Sequence, residues 1–165
     1  MATVTLKGNE IHTNGELPKV GAKAPAFTLV GADLGEKKLA DFAGKTTILT
    51  INPSYDTGVC QATARSFNQK AGELDATVLM ISGDLPFAQK RFCEAEGLEH
   101  VVPLSSYRSS FGEDYGLELV DGPLKALTAR AVLVLDGEGE VVHAELVPEI
   151  AQEPDYDAAL AAAKG

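Results

Sequence analysis

Hydrophobic positions along the chain fall into continuous runs and periodic stripes. Thr46 to Ile51 and Thr77 to Ser82 are near-continuous apolar runs, the pattern of strands buried on both faces. Leu127 to Leu135 is a third such run, interrupted by Arg130. Between the first two, Cys60, Ala64, Phe67, Ala71 and Leu74 recur at alternating four- and three-residue steps. That spacing predicts a helix over 61–74 with Cys60 in its first turn, facing the core side at the end nearest solvent. Asp84 reads as the cap of a second helix, with Pro86 in its first turn and Gly97 just past its end. Its apolar line is Ala88, Phe92 and Ala95, with Phe87 beside it and Cys93 one position off it.

The weaker signals fill in the rest. Thr3–Lys7 and Glu10–Thr13 alternate around Gly8-Asn9 and read as a β-hairpin. Phe27–Val30 and Val101–Leu104 read as short strands, and Lys38–Phe42 as helical turns ended at Gly44. A single helical turn is expected around Phe111. Asp136–Gly139 turns the chain into a strand over 140–147, and Glu153-Pro154-Asp155 opens a last helix through Ala163. Two βα units imply parallel neighbours joined by right-handed crossovers, and the later hairpin adds antiparallel strands. The expected class is α/β: a thioredoxin-like mixed sheet flanked by helices, with an N-terminal β-hairpin extension, as a single domain over 1–165.

Composition narrows the partners. The net charge of −10 argues against nucleic acid or an anionic membrane, both of which need basic surface. No run reaches the length of a membrane span, and the start shows no basic region followed by an apolar one, so the cytoplasm is expected. In that compartment two cysteines read as redox-active, metal-bound or free rather than as a structural disulfide. Neither they nor the three scattered histidines show metal-ligand spacing, so no metal or cofactor is expected. There is no C-x-x-C, and no histidine in a recognisable hydrolase context.

The candidate chemistry sits in Pro53-Ser54-Tyr55-Asp56-Thr57-Gly58-Val59-Cys60, at the strand-to-helix turn. Unpaired N–H groups and the positive end of the helix dipole favour a thiolate there. Cys60 reads either as a small buried residue or as a nucleophile, and the turn favours the second. Lowering a thiol from ~8.5 to about 6 takes roughly 3.4 kcal/mol. A helix end supplies ~0.3–1 kcal/mol, up to ~2 when partly buried, so a cation is required. Arg130 is the leading candidate, although a side chain reaching out from a sheet edge would look the same. Thr57 is either a plain N-cap, as Asp56 could also be, or a hydroxyl serving thiolate or substrate. Cys93 reads as packing or as a second redox thiol.

Taken together, Pro53, Thr57, Cys60 and the distant Arg130 resemble the peroxiredoxin active-site pattern. More narrowly, the chain resembles the bacterial thiol peroxidases, the atypical two-cysteine branch. Asp84–Cys93, Thr128–Ala131 and Glu145–Ile150 also match that branch, so the resemblance spans essentially the whole chain. Asn52 and Tyr55 depart from the more usual apolar or β-branched residues there, which leaves the motif intact and bears on pocket shape and substrate preference.

The resemblance implies that Cys60 is the peroxidatic cysteine, attacking hydrogen peroxide or organic hydroperoxides to become a sulfenic acid. It implies that Thr57 positions the peroxide, that Arg130 stabilises the thiolate and the charge on the breaking O–O bond, and that Pro53 shields the site. Cys93 is then the resolving cysteine within the same subunit, a thioredoxin-type protein the reductant, and the assembly a homodimer. Because a disulfide needs Cα atoms within about 7 Å, the first turn of the Cys60 helix and the Cys93 helix are expected to unfold locally between redox states. Resolution by an external thiol, a redox sensor using Cys60 as a switch, and a cysteine hydrolase are the competing readings.

Overall fold

The computed structural model describes residues 1–164. The chain opens with β1 (Thr3–Leu6) and β2 (Asn9–His12), an antiparallel hairpin. Its turn is Lys7-Gly8 rather than Gly8-Asn9, with φ of 51° and 84°. A two-residue hairpin turn of this kind needs positive φ at both central positions, and glycine occupies the second at no steric cost.

The main sheet has seven strands in the order β4-β3-β7-β6-β5-β8-β9. These are β3 (Thr28–Gly31), β4 (Glu36–Lys38), β5 (Thr47–Ile51), β6 (Thr77–Ser82), β7 (Val101–Ser105), β8 (Ala131–Leu135) and β9 (Val141–Leu146). The βα units lie parallel, β5 beside β6 and β6 beside β7, and the other pairings are antiparallel. The α/β mixed sheet with an N-terminal hairpin therefore stands as expected. The helices are α1 (Gly58–Ala71), α2 (Pro86–Glu96), the short α3 (Phe111–Asp114) and α4 (Tyr156–Ala163), with a 3-10 turn at Leu39–Phe42. No described helix is long and apolar enough to cross a membrane.

Strand alternation builds two cores. Ile48, Val78, Met80, Val132 and Val134 face one side, where Ala64 and Phe67 of α1 and Ala159 of α4 cover them. Leu49, Ile51, Leu79, Ile81 and Leu133 face the other, under Val4 and Ile11 of the hairpin and Phe111 of α3. Phe92 and Cys93 of α2 pack against the first core, so both cysteines border one apolar layer.

Several local expectations are corrected. The segment at 36–38 is a polar edge strand, which has no apolar alternation to betray it. β8 begins only at Ala131, because 127–129 pairs instead with 117–119, through Leu119 N to Leu127 O and Ala129 N to Leu117 O (2.9 Å each). Arg130 therefore sits at the corner between these two pairings rather than in mid-strand. On α2 the fully buried positions are Pro86 and Gln89, with Phe92 packed against the core as expected, while Phe87 is 67% exposed and Ala95 is at the surface. The amide of Gln89 donates to Ser82 Oγ (2.9 Å) and to Leu104 O (3.0 Å), which permits a polar side chain to face the sheet. Gly97 ends α2 in the left-handed conformation, as expected. Asp84 does not cap that helix; Leu85 occupies the cap position without a side-chain bond.

Candidate active site

β5 ends at Ile51, and the segment 52–57 carries the chain across to α1. Thr57 is the N-cap, its Oγ1 accepting from Cys60 N at 3.4 Å, so Cys60 is the third helical residue. The Thr57 hydroxyl donates to Ser54 O (3.0 Å). Its hydrogen is thus committed, and the exposed side of Thr57 offers an incoming group an acceptor. Cys60 has no exposed surface, in contrast to the expected position near solvent, because Tyr55 from the preceding loop packs into the same apolar cluster.

Arg130 is brought to this sulfur from seventy residues away. Its Nη1 donates to Cys60 Sγ at 3.1 Å and to Asn52 Oδ1 at 2.8 Å, and its Nε donates to Ile150 O at 2.9 Å. The guanidinium is 2% exposed, so it does not reach out from a sheet edge. Among the described residues no carboxylate lies within ion-pair distance of it. A buried cation without a counter-charge costs several kcal/mol, and a thiolate at Cys60 offsets that cost. The guanidinium is therefore placed where a negative charge on the Cys60 sulfur would meet it.

Asp84 holds the loop from the other side. Its carboxylate accepts from Ser54 Oγ, Tyr55 N and Ser82 Oγ, each at 2.8 Å, tying the segment ahead of Cys60 to the segment ahead of α2. The ring of Tyr55 stacks on Phe92 of α2, with centroids 5.5 Å apart. Next to Phe92, Cys93 is half-buried; burial first, then the nearby Glu94 carboxylate, pushes its thiol up to about 11. Both cysteines are free.

Pro53, Thr57, Val59 and Arg130 line a cavity of about 240 Å³ whose other walls are mostly apolar, including Leu127 and Ile150. Leu6 and Lys7 of the N-terminal hairpin also line it. The hairpin is fastened there by Thr5 N to Pro148 O and Ile150 N to Thr5 O (2.8 Å each), and by Gly8 N to Glu149 Oε1 (2.9 Å). No described cluster of three or more His, Cys, Asp or Glu side chains is arranged to hold a metal ion. Four of the residues singled out from sequence, Pro53, Thr57, Cys60 and Arg130, thus converge, and Cys93 lies on the neighbouring helix. Asn52 as a partner of Arg130, and Asp84 as a tie between the two segments, were not foreseen. The available signal for Asn52 was a polar residue closing a buried apolar run.

A buried thiol at a helix start, bonded by an arginine and beside a threonine acceptor, defines a cysteine-based redox site on a thioredoxin-like sheet. The Redoxin family model matches residues 19–160. Thiol peroxidases of Mycobacterium tuberculosis and Corynebacterium glutamicum are 58% and 54% identical, each aligned over 98% of this chain and covered over 98% and 99% of their own lengths. The crystal structure of a peroxiredoxin-like protein from Aquifex aeolicus superposes with a TM-score of 0.94 at 41% identity, covering 99% of this chain and 96% of that one. The chain belongs to the Redoxin family and, within it, to the bacterial thiol peroxidases.

Proposed function

We propose that this chain, acting as a single domain over 1–165, is a thiol peroxidase that reduces hydrogen peroxide and organic hydroperoxides through Cys60, with the 3.1 Å contact from Arg130 Nη1 to Cys60 Sγ carrying the assignment. The Cys60 thiolate attacks the terminal peroxide oxygen. The O–O bond breaks, the electron pair leaves with the departing oxygen, and that oxygen takes a proton to become water or an alcohol. Cys60 is oxidised to the sulfenic acid. Arg130 stabilises the thiolate and the charge spreading over the breaking bond, and the first-turn N–H groups of α1 add to that field. Thr57 Oγ1 accepts from the hydroperoxide O–H, and Pro53 walls the site from water. The apolar cavity walls suit the organic part of an alkyl hydroperoxide.

Cys93 then displaces water from the sulfenic acid to form an intrasubunit disulfide, which a thioredoxin-type dithiol reduces. Cys60 lies in the first turn of α1 and Cys93 in the body of α2, with Tyr55 stacked on Phe92 beside them. Bond formation therefore requires local unfolding of that first turn and of α2. The functional form is a cytoplasmic homodimer.

Stopped-flow turnover with thioredoxin and thioredoxin reductase tests the scheme. Cys60→Ser is expected to lose peroxide consumption by about 10³-fold or more. Cys93→Ser is expected to keep the first turnover and lose sustained turnover. Mass spectrometry of the peroxide-treated parent should find the Cys60–Cys93 disulfide. A stable sulfenic acid or an external mixed disulfide in its place would remove Cys93 from the mechanism.

A further inference from the structure

Cys60 is reached by one guanidinium nitrogen, and that nitrogen is shared with Asn52. Asn52 is fully buried, and its backbone is fixed by Asn52 N to Ile81 O and by Thr128 Oγ1 to Asn52 O, each at 3.0 Å. Its side-chain amide is fixed as well. Nδ2 donates to Tyr55 Oη at 2.7 Å and to Thr50 Oγ1 at 3.3 Å, leaving Oδ1 for Arg130. A flipped amide would set its NH₂ against the guanidinium, which has no acceptor, so the guanidinium determines which way the amide faces and Tyr55 Oη, by accepting from Nδ2, anchors its other end. Tyr55 is itself immobilised, 2% exposed, with its ring on Phe92 and its N–H on Asp84.

We propose that Asn52 and Tyr55 are positioning residues for the peroxide-reducing step: Tyr55 Oη anchors the Asn52 amide through Nδ2, and the amide aims Arg130 Nη1 at Cys60 Sγ. The proposal rests on Cys60 being the peroxidatic thiol. The charged or titratable groups around the set are Arg130 and Cys60 within it, Asp84 at the Tyr55 backbone, and Cys93 near the ring. Burial, then the charges of Cys60, Asp84 and Cys93, hold the Tyr55 phenol well above its usual value, while the Asn52 donor pulls the other way; the ring therefore serves as a neutral hydroxyl.

Tyr55→Phe tests the relay, since it keeps the ring against Phe92 and deletes only the oxygen that anchors Asn52. Two readouts are taken against pH: the rate of the first peroxide turnover, and the ultraviolet thiolate absorbance of Cys60 measured as the difference from the matched Cys60→Ser protein. Tyr55→Phe is expected to slow the first turnover about 5- to 20-fold at neutral pH, and to move both profiles to higher pH. In an Arg130→Lys background the same change should have no further effect, because its action runs through the guanidinium. Asn52→Leu, of similar volume but without an acceptor, should move the absorbance profile at least as far.

Profiles of Tyr55→Phe or Asn52→Leu that overlay the parent would overturn the proposal. So would an equal loss in the Arg130→Lys background. Should the parent fail to reduce hydroperoxides, the peroxidase reading falls by itself, while the absorbance profiles still decide whether this pair governs the thiolate.

Discussion

Cys60 and Cys93 border the same apolar layer, yet different groups reach their two sulfurs. Cys60 has no exposed surface, but a guanidinium nitrogen lies 3.1 Å from its sulfur and the start of α1 lies behind it. Cys93 is more open to solvent, yet no described donor reaches its sulfur, and burial beside Glu94 holds it as a thiol up to about 11. Which groups reach the sulfur decides, since burial disfavours a thiolate only where nothing of opposite sign is buried with it. On the proposed mechanism this difference also orders the reaction. Cys60 meets its cation already in the folded protein, while Cys93 becomes a nucleophile once α2 loosens and its desolvation is relieved.

The contrast is broken most directly at Arg130. Arg130→Lys removes the shared nitrogen, and a point charge does not reproduce its geometry. The first turnover should slow roughly 10- to 100-fold in stopped flow, while alkylation of Cys93 proceeds as before. A loss below about twofold would mean that the helix end suffices, against the energy comparison. Next, Thr57→Val removes the oxygen that caps α1 and faces the cavity. It should lower stability by about 1 kcal/mol in urea unfolding and slow the first turnover about tenfold.

Asp84→Ala probes the link between the two halves rather than either half. With its three hydrogen bonds gone, disulfide formation after oxidation should quicken about fivefold, read by quenched alkylation and mass spectrometry. Unchanged or slower closure would show that the tie does not restrain the opening.

The smallest effect is on stability against pH. The Cys93 thiol is raised in the folded protein, so between its ordinary value of 9.0 and about 11 the unfolded chain has lost this proton while the native one keeps it. The stabilisation is complete below that window and is lost as pH rises through it. Urea midpoints of the parent should therefore fall toward those of Cys93→Ala over this range, and parallel curves would contradict the assigned environment.

Much of the frame was legible in the sequence. The buried runs at 47–51 and 77–82, the stripe on α1 and the turn holding Cys60 were visible as periodicity, and the energy comparison drew in Arg130. What escaped is polar and non-local. Asn52 meets Arg130 across 78 positions, and Asp84 meets Tyr55 across 29. Periodicity reports burial and carries no information about which buried polar group will bond which. Asp84 was misplaced for a related reason: an acidic residue two positions before a proline looks like a cap, whereas here the carboxylate is saturated by other donors. The alanine-rich face of α2 misled because small residues mark neither side strongly, and Gln89 is inward only because Ser82 and Leu104 supply partners.

The hairpin at the start of the chain has a consequence for protein engineering. Leu6 and Lys7 help to line the cavity beside Pro53 and Arg130, and β1 is stitched by backbone bonds to the 148–150 segment. The cavity wall is therefore shared between the hairpin, the stretch around Ile150 and the turn that holds Cys60. A chimaera that exchanges only residues 52–60 between relatives would replace one part of that wall, Pro53 to Val59, against the recipient's other parts and its own Arg130. To transplant the pocket, the first dozen residues and the stretch around Ile150 must travel with the turn that holds Cys60.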